Sequence, residues 1–493
     1  MHDTGANFKN DRTDHRYFYV DFLFYGTFYD MFNFMPFNLG GRYRTGKNTM
    51  KKVAFKTLGC KLNYSETMTI RQDFENAGYD ITDFDGEADI YIVNTCSVTQ
   101  GANSTCRKAV RRALRRNSEA FVAVVGCYAQ LKPGEIADID GVDAVLGAKN
   151  KFNLLDLFDD FHKRSEPIVH HTDVNEAVNF HNAFSADDRT RAFLKVQDGC
   201  SYCCSFCTIP MARGKSRSPE ISSVVRNAEL LADEGFKEVV VTGVNAGDFG
   251  RGTEENFFML LQELDRVDGL ERIRMSSVEP NLMHEELIYF ASESDSIQPH
   301  FHMPLQSGSD EMLGLMRRRY QSGLYRERVE LIKKLMPDAA IGVDVITGHP
   351  GETDELFRES FDFIRSLPVS YLHVFTYSER PGTRALTIEP NVQDRIRKER
   401  THKLRRLSQK KRYEFDTSFS GDIREVLFEE SSRNGAMLGW TDNYVRVGIP
   451  YDPHYGNKIL PVHLGARSRE GYLIGELPAG VREEQRVIAE LTG

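Results

Sequence analysis

The chain has no run of about 18 or more apolar residues, so nothing in it reads as a bilayer-spanning helix and no membrane partner is expected. It also lacks a positive net charge, because 63 Lys and Arg stand against 72 Asp and Glu, giving −9 at neutral pH. That sign argues against a protein coated in nucleic acid and leaves any RNA contact to local basic surfaces. Cysteine is scarce, with eight in 493 residues, and the start shows no basic stretch followed by an apolar core and a small-residue cleavage site. Disulfides are therefore not expected. Metal or catalytic duty in a reducing, cytoplasmic setting is the reading that remains.

A length of 493 exceeds what one core supports, about 250–300 residues, so two or three domains are predicted. The first 49 residues crowd aromatics (Tyr17, Phe18, Tyr19, Phe22, Phe24, Tyr25 and others) between polar ends with no helical or strand period. They read as a non-native or disordered leader with Met50 as the natural start, the alternative being an unusual partner-binding tail.

From Lys52 the pattern becomes regular. VAFKTLG, DIYIVNTCS and FVAVVGC read as buried strands with helices between them, the first helix over 65–78. Alternation of this kind predicts an α/β fold with a parallel sheet over 50–160. A polar, His-containing stretch at 161–190 reads as a connection. Over 191–417, EVVVTGVN, RIRMSSVEP, QPHFHMPLQ, AAIGVDVITG and YLHVFTYS alternate with helices as in a partial or full (β/α) barrel, closed by a charged helix near 391–415. Short strands IREVLFEE, YVRVGIPY, KILPVHL and GYLIGEL predict a small β-barrel over 418–485.

Each of the first three strands is followed at once by a cysteine: Cys60, Cys96 and Cys127. Loops at the carboxyl ends of parallel strands converge, so three sequence-distant thiolates are expected to meet there, with Gly59 and Gly126 preceding two of them. The bland reading of each, a small buried hydrophobe, is kept for Cys106 on its helix. A second group, Cys200, Cys204 and Cys207, has C-x3-C-x2-C spacing, which suits three irons of a [4Fe–4S] cluster with the fourth left open. Structural zinc wants four ligands, usually as two C-x2-C pairs, and fits less well. Cys203 reads as a bystander.

The C-x3-C-x2-C group resembles that of the radical S-adenosylmethionine superfamily. Together, TLGCKLNYSE, NTCSVT, VVGCYAQ, VQDGCSYCCSFCTIPMARGKSRS and ITGHPGET resemble the methylthiotransferase family from about residue 50 to the end. Within it, GCKLNYSET and the VQDGC…RGKSRS block look like the branch acting on N6-threonylcarbamoyladenosine beside the tRNA anticodon; sister branches act on isopentenyladenosine or a ribosomal-protein aspartate. The resemblance implies two [4Fe–4S] clusters, an auxiliary one on Cys60, Cys96 and Cys127 and a radical one on Cys200, Cys204 and Cys207. It also implies S-adenosylmethionine as cofactor, an electron donor, tRNA as partner and a TRAM-like RNA-binding barrel at the end. One S-adenosylmethionine would methylate sulfur at the auxiliary cluster, and cleavage of another would yield the radical that removes hydrogen from carbon 2 of adenine. That carbon has neither an acidic proton nor a leaving group, which makes a radical route reasonable.

By the same resemblance Thr242, Gly243 and Asn245 lie near the aminocarboxylate of the cofactor and Ile346 to Gly348 near its adenine, with Glu279 and Gln306 as weaker strand-end candidates. Thr353 or Glu352 is expected to cap the helix that starts after PGET. RNA phosphates are assigned to Arg111, Arg112 and Arg115, and to Lys403 and Arg406 within a basic run at 395–412 that includes Arg397 and Arg400; solvated basic faces are the alternative. Arg317, Arg318 and Arg319 are candidates for the threonyl carboxylate, which a guanidinium fork matches. Two other readings stay open: a protein side chain as substrate, and an RNA-binding iron–sulfur protein without turnover.

Overall fold

The computed structural model describes residues 51–96, 100–185 and 190–480; the expected leader over 1–49 and the last residues of the C-terminal module fall outside these. No helix among the described residues is long and apolar enough to cross a membrane.

The first unit is a six-stranded, wholly parallel sheet in the order β2-β1-β3-β4-β5-β6. Its strands are β1 (Lys52–Thr57), β2 (Asp80–Thr82), β3 (Ile90–Thr95), β4 (Phe121–Gly126), β5 (Ala144–Leu146) and β6 (Ile168–His170). Every residue of β3 and β4 is buried, as expected of central strands covered on both faces. The stretch read as a connection contributes β6 to the sheet edge. The first helix spans Lys61–Asn76 and begins four residues earlier than its polarity suggested, with Cys60, three residues past the end of β1, in the extended conformation at its N-cap.

Next come two three-stranded parallel sheets, β7 (Arg191–Lys195), β8 (Glu238–Thr242) and β9 (Arg272–Met275), then β10 (His300–His302), β11 (Ala340–Thr347) and β12 (Tyr371–Thr376). Parallel bridges Ile273–Ile297 and Ser277–His302 join them into one curved half-barrel. The outer face of β12 packs on the long helix Asp394–Thr417, with Leu372 and Val374 in one core with Leu404 and Leu407.

The third unit is a closed β-barrel, β13 (Ile423–Arg433), β14 (Ala436–Thr441), β15 (Arg446–Pro450), β16 (Ile459–Arg467) and β17 (Leu473–Glu476). Strand β14, AMLGWT, is absent from the sequence reading: it is short, carries a glycine, and pairs through a tight turn at Asn434 and Gly435. The barrel seats on the amino-terminal end of the half-barrel. There Arg274 donates to the carbonyls of Asp442 and Thr441, Arg272 donates to those of Trp440 and Glu425, and the Tyr444 ring stacks 4.2 Å from His300. The opposite, carboxyl-terminal end stays available for chemistry.

Candidate functional site

The three strand-end cysteines of the first sheet come together. Gly59 has φ +125°, and a Cβ there would stand 2.6 Å from Cys96 Cβ, so the loop bearing Cys60 presses on the loop bearing Cys96. The thiol of Cys127 lies within electrostatic reach of Cys60, Arg213, Lys151 and Glu66, and burial pushes its pKa up. Asn63 ties the loops, its amide donating to Thr95 O at 2.9 Å and its carbonyl lying 3.5 Å from Cys60 Sγ. Cys60 itself is exposed, which leaves the trio open on one side. Beside Cys96 sits Arg380, 8% exposed, whose Nε and Nη2 have no hydrogen-bond partner. A buried guanidinium left partly unpaired beside a thiol trio suits an anionic group such as a thiolate-ligated cluster. Sequence reasoning passed over Arg380, and only its place in YSERPGT marks it.

Gly126, φ +97°, precedes Cys127, and a Cβ would come 2.4 Å from Asn94 Oδ1 and 2.7 Å from Thr95 O. We expect Gly126→Ala to destabilise by about 1–3 kcal/mol, the range for a strained backbone position. It should also impair iron retention by this trio, read as a lower melting temperature together with a lower iron content after anaerobic reconstitution.

The second trio sits on the loop after β7. Tyr202 N donates to Cys200 Sγ and Ile209 N to Cys207 Sγ, both at 3.4 Å, so backbone amides already face the sulfurs. Burial pushes Cys200 and Cys207 up to about 12, and their proximity to Cys204 pushes the same way. Free thiols in that setting stay protonated at neutral pH; metal binding is what deprotonates them. Among the described residues, only His302, Asp344 and His373 bring three metal-type ligand atoms within 4.8 Å. Cys203 is exposed, while Cys106 is buried in the first core with its thiol pushed up to about 12 by burial.

Around this loop the strand ends supply unpaired polar atoms. Asn245, after β8, is 3% exposed with both side-chain amide atoms unpartnered; Ser276 Oγ after β9 and Gln306 Oε1 after β10 are likewise buried without partners. Such groups are costly unless a ligand satisfies them, which fits a polar cofactor such as S-adenosylmethionine. Thr242 spends its hydroxyl on Val240 O. Gly243 gives room to Gln197, whose carbonyl receives Asn245 N at 2.9 Å and whose amide holds Gly199 O and Ser216. Ile346 N is bonded to Gln306 O. Gly348 makes space for Arg397, where a Cβ would lie 2.2 Å from Cγ, and its amide is taken by Glu352. Thr353 caps the Asp354–Ser366 helix, and Glu352 turns back to Arg400.

The arginine triplet divides. Arg318 donates to Cys204 Sγ at 3.1 Å, pairs closely with Glu279 and bonds Tyr320, so its fork is spent inside the site. Burial raises the Glu279 carboxyl, with Arg318 opposing. Arg317 is exposed, and exposed Arg319 lies 4.0 Å over the Tyr202 ring. Arg111, Arg112 and Arg115 are exposed along one helix, Arg112 in an ion pair with Asp85. Lys403 pairs with Glu399 at 2.9 Å, and Arg406 is exposed with no ion pair among the described residues. Two members of the basic run face inward instead: Arg397 binds Glu379, and Arg400 binds Glu352 and Asp354. These two hold the helix to the half-barrel.

One buried ion network joins the two trios. Glu66 receives Arg213 at 2.8 Å, Lys151 at 2.7 Å and Lys195 at 3.1 Å; Asp198, two residues before Cys200, receives Arg213, Lys195 and Arg217. Burial works to raise both carboxyls, yet the surrounding cations hold them well below the usual range. Arg213 also donates to Asn63 at 2.7 Å and acts on the Cys127 thiol.

Residues 52–147 match the uncharacterized protein family UPF0004, and residues 194–364 match the radical SAM superfamily. The threonylcarbamoyladenosine tRNA methylthiotransferase MtaB of Bacillus subtilis (strain 168) is 39% identical over 89% of this chain and 100% of its own length. The protein of that name from Aquifex aeolicus (strain VF5) is 41% identical over 80% and 96%. In fold, the chain is similar to a radical S-adenosylmethionine methyltransferase, TsrM, from Kitasatospora setae, with a TM-score of 0.51 at 15% identity, covering 79% of this chain and 81% of that one. With a full-length relative at this identity, and with its two domain matches carrying the two cysteine trios, the chain belongs to the radical S-adenosylmethionine methylthiotransferase family.

Proposed function

We propose that this enzyme adds a methylthio group to carbon 2 of N6-threonylcarbamoyladenosine next to the anticodon of tRNA, using two [4Fe–4S] clusters. The observation that carries this is the pairing of two separate cysteine trios, at the carboxyl ends of two parallel sheets, through a single buried ion network. Cys200, Cys204 and Cys207 would hold the cluster that, with bound S-adenosylmethionine, supplies the radical chemistry; Cys60, Cys96 and Cys127 would hold the auxiliary one.

The chain's own groups orient and shield. Asn245, Ser276 and Gln306 offer buried polar atoms to the cofactor at consecutive strand ends. Gln197 locks the cysteine loop to the Asn245 loop, so cofactor and thiols share one rigid frame. Arg318 sets a positive charge against Cys204, which favours the thiolate form a cluster requires. RNA backbone is assigned to the exposed Arg111, Arg115, Arg317, Arg319 and Arg406.

The test is anaerobic reconstitution, then incubation with reductant, S-adenosylmethionine and tRNA bearing threonylcarbamoyladenosine, and mass spectrometry of the digested nucleosides. A methylthio gain on that base together with 5′-deoxyadenosine is expected. 5′-deoxyadenosine with unchanged RNA would overturn the substrate and point to a protein side chain.

A further inference from the structure

Residues of the half-barrel alternate between the helical shell and an inner lumen. On β12, Leu372 and Val374 face the shell, so Tyr371, His373 and Phe375 face inward, and Phe375 is 45% exposed there. Asp344, the register partner of His373, lies on the same face, and His302 bonds it at 2.9 Å. On β7, Ala192 and Leu194 belong to the shell core, which turns Arg191, Phe193 and Lys195 toward the lumen. The C-terminal barrel plugs the floor with Tyr444, stacked between His300 and Trp440.

Lys61 enters this lumen from the first unit. It is the first residue of its helix, directly after Cys60, and its ammonium stands 5.4 Å over the Phe193 ring. Tyr444, Arg191, Arg274 and Glu238 lie within its electrostatic reach. The neighbouring arginines are matched by acids: Arg191 by Glu429, Arg274 by Glu238 at 2.9 Å, and Arg412 by Asp416 at 2.8 Å. Lys61 is solvent-exposed in this open lumen, and apart from the Phe193 ring it makes no hydrogen bond or ion pair with any described residue. Desolvation among the lumen walls pushes the Lys61 ammonium pKa down while the Tyr444 phenol beside it pushes up; burial alone would raise the Tyr444 hydroxyl, yet Lys61 first, then Arg191, Arg274 and Arg412, bring it below the usual phenol range. A site that favours a phenolate favours a carboxylate for the same reason.

We propose that Lys61 is a carboxylate-docking residue of the lumen, receiving the threonyl carboxylate on N6 of the substrate base and thereby selecting that base among modified adenosines. This rests on the substrate reading above. The N6 substituent leaves the adenine ring on a different edge from carbon 2, so a base presenting carbon 2 to the thiol end projects its side chain along the lumen. Arg318, the buried member of the triplet, is already spent on Glu279 and Cys204.

The experiment measures, by fluorescence anisotropy with the reconstituted protein, the affinity for an anticodon stem-loop carrying threonylcarbamoyladenosine and for the same stem-loop with the threonyl carboxylate methylated. The wild type is expected to prefer the free carboxylate about tenfold, the scale of one hydrogen bond to a charged group. Lys61→Met should bring that ratio near one, and Lys61→Arg should retain most of it. The proposal is overturned by an indifferent wild type, by a Lys61→Met protein that keeps the wild-type ratio, or by a ratio that collapses in Arg317→Ala or Arg319→Ala instead. Failure of the wild type to methylthiolate the base in the nucleoside assay would sink the substrate reading separately, since the binding ratio does not depend on turnover.

Discussion

Alanine at any one of Cys200, Cys204 or Cys207 is expected to abolish both 5′-deoxyadenosine formation and methylthio transfer, and to halve the iron bound after reconstitution. On the proposed reading each trio would offer three sulfurs to a cluster with one iron free of protein ligands, so losing one would leave two irons unsupported. No neighbour stands in: Cys203 is exposed beside the site, and Cys106 lies in a different core. Alanine at Cys60, Cys96 or Cys127 should also halve the iron and stop methylthio transfer, while the other trio still generates 5′-deoxyadenosine. The comparison separates two clusters with distinct tasks from two sites sharing one task. Full iron content in Cys204→Ala would contradict the ligand assignment, and loss of 5′-deoxyadenosine in Cys127→Ala would contradict the division of labour. Cys203→Ser serves as the control.

The cysteines were legible because their meaning is local: a thiol directly after a hydrophobic strand, or three within eight residues, carries its geometry in its spacing. The outer strands were not, since the edge strands Asp80–Thr82 and Ile168–His170 and the neighbouring Ala144–Leu146 are too short to show a period of two. Charge was the least legible property. Arg397 and Arg400 look like part of a solvated face until the fold brings Glu379 and Glu352 to them, and Arg318 looks like its neighbours until Cys204 appears beside it. Lys61 falls before the helix as read from sequence, over 65–78; only the observed start at Lys61 and the docking of that helix on β7 put its ammonium into the half-barrel. Glu66 and Arg213 were visible inside family-like motifs, yet nothing in the sequence joins residues 147 apart.

Glu66→Gln is expected to be among the most destabilising single changes in the molecule. The carboxylate is fully buried and accepts from Arg213, Lys151 and Lys195, cations that are themselves almost inaccessible; without it Arg213 and Lys195 would keep Asp198, and Lys151 would lose its ion pair. Breaking a buried ionic network from one side costs about 3–5 kcal/mol, because the stranded charges keep their desolvation penalty. Differential scanning calorimetry should show a lower first transition, and iron retention should fall at both trios, since Arg213 reaches Asn63 and the Cys127 thiol on one side and Asp198 on the other. The pH dependence follows from the same cations. Glu66 and Asp198 both have folded pKa values below their unfolded ones, so their contribution is present in full above the unfolded carboxylate range, near about pH 4–4.5, and is lost as pH falls below it. The wild type should therefore lose stability steeply on acidification, and Glu66→Gln, with one of the two titrating groups removed, should lose it less steeply from a lower starting point. Equal acid slopes in the two proteins would mean that Glu66 is not held below its usual range, and the network would then have to be reread as neutral hydrogen bonding.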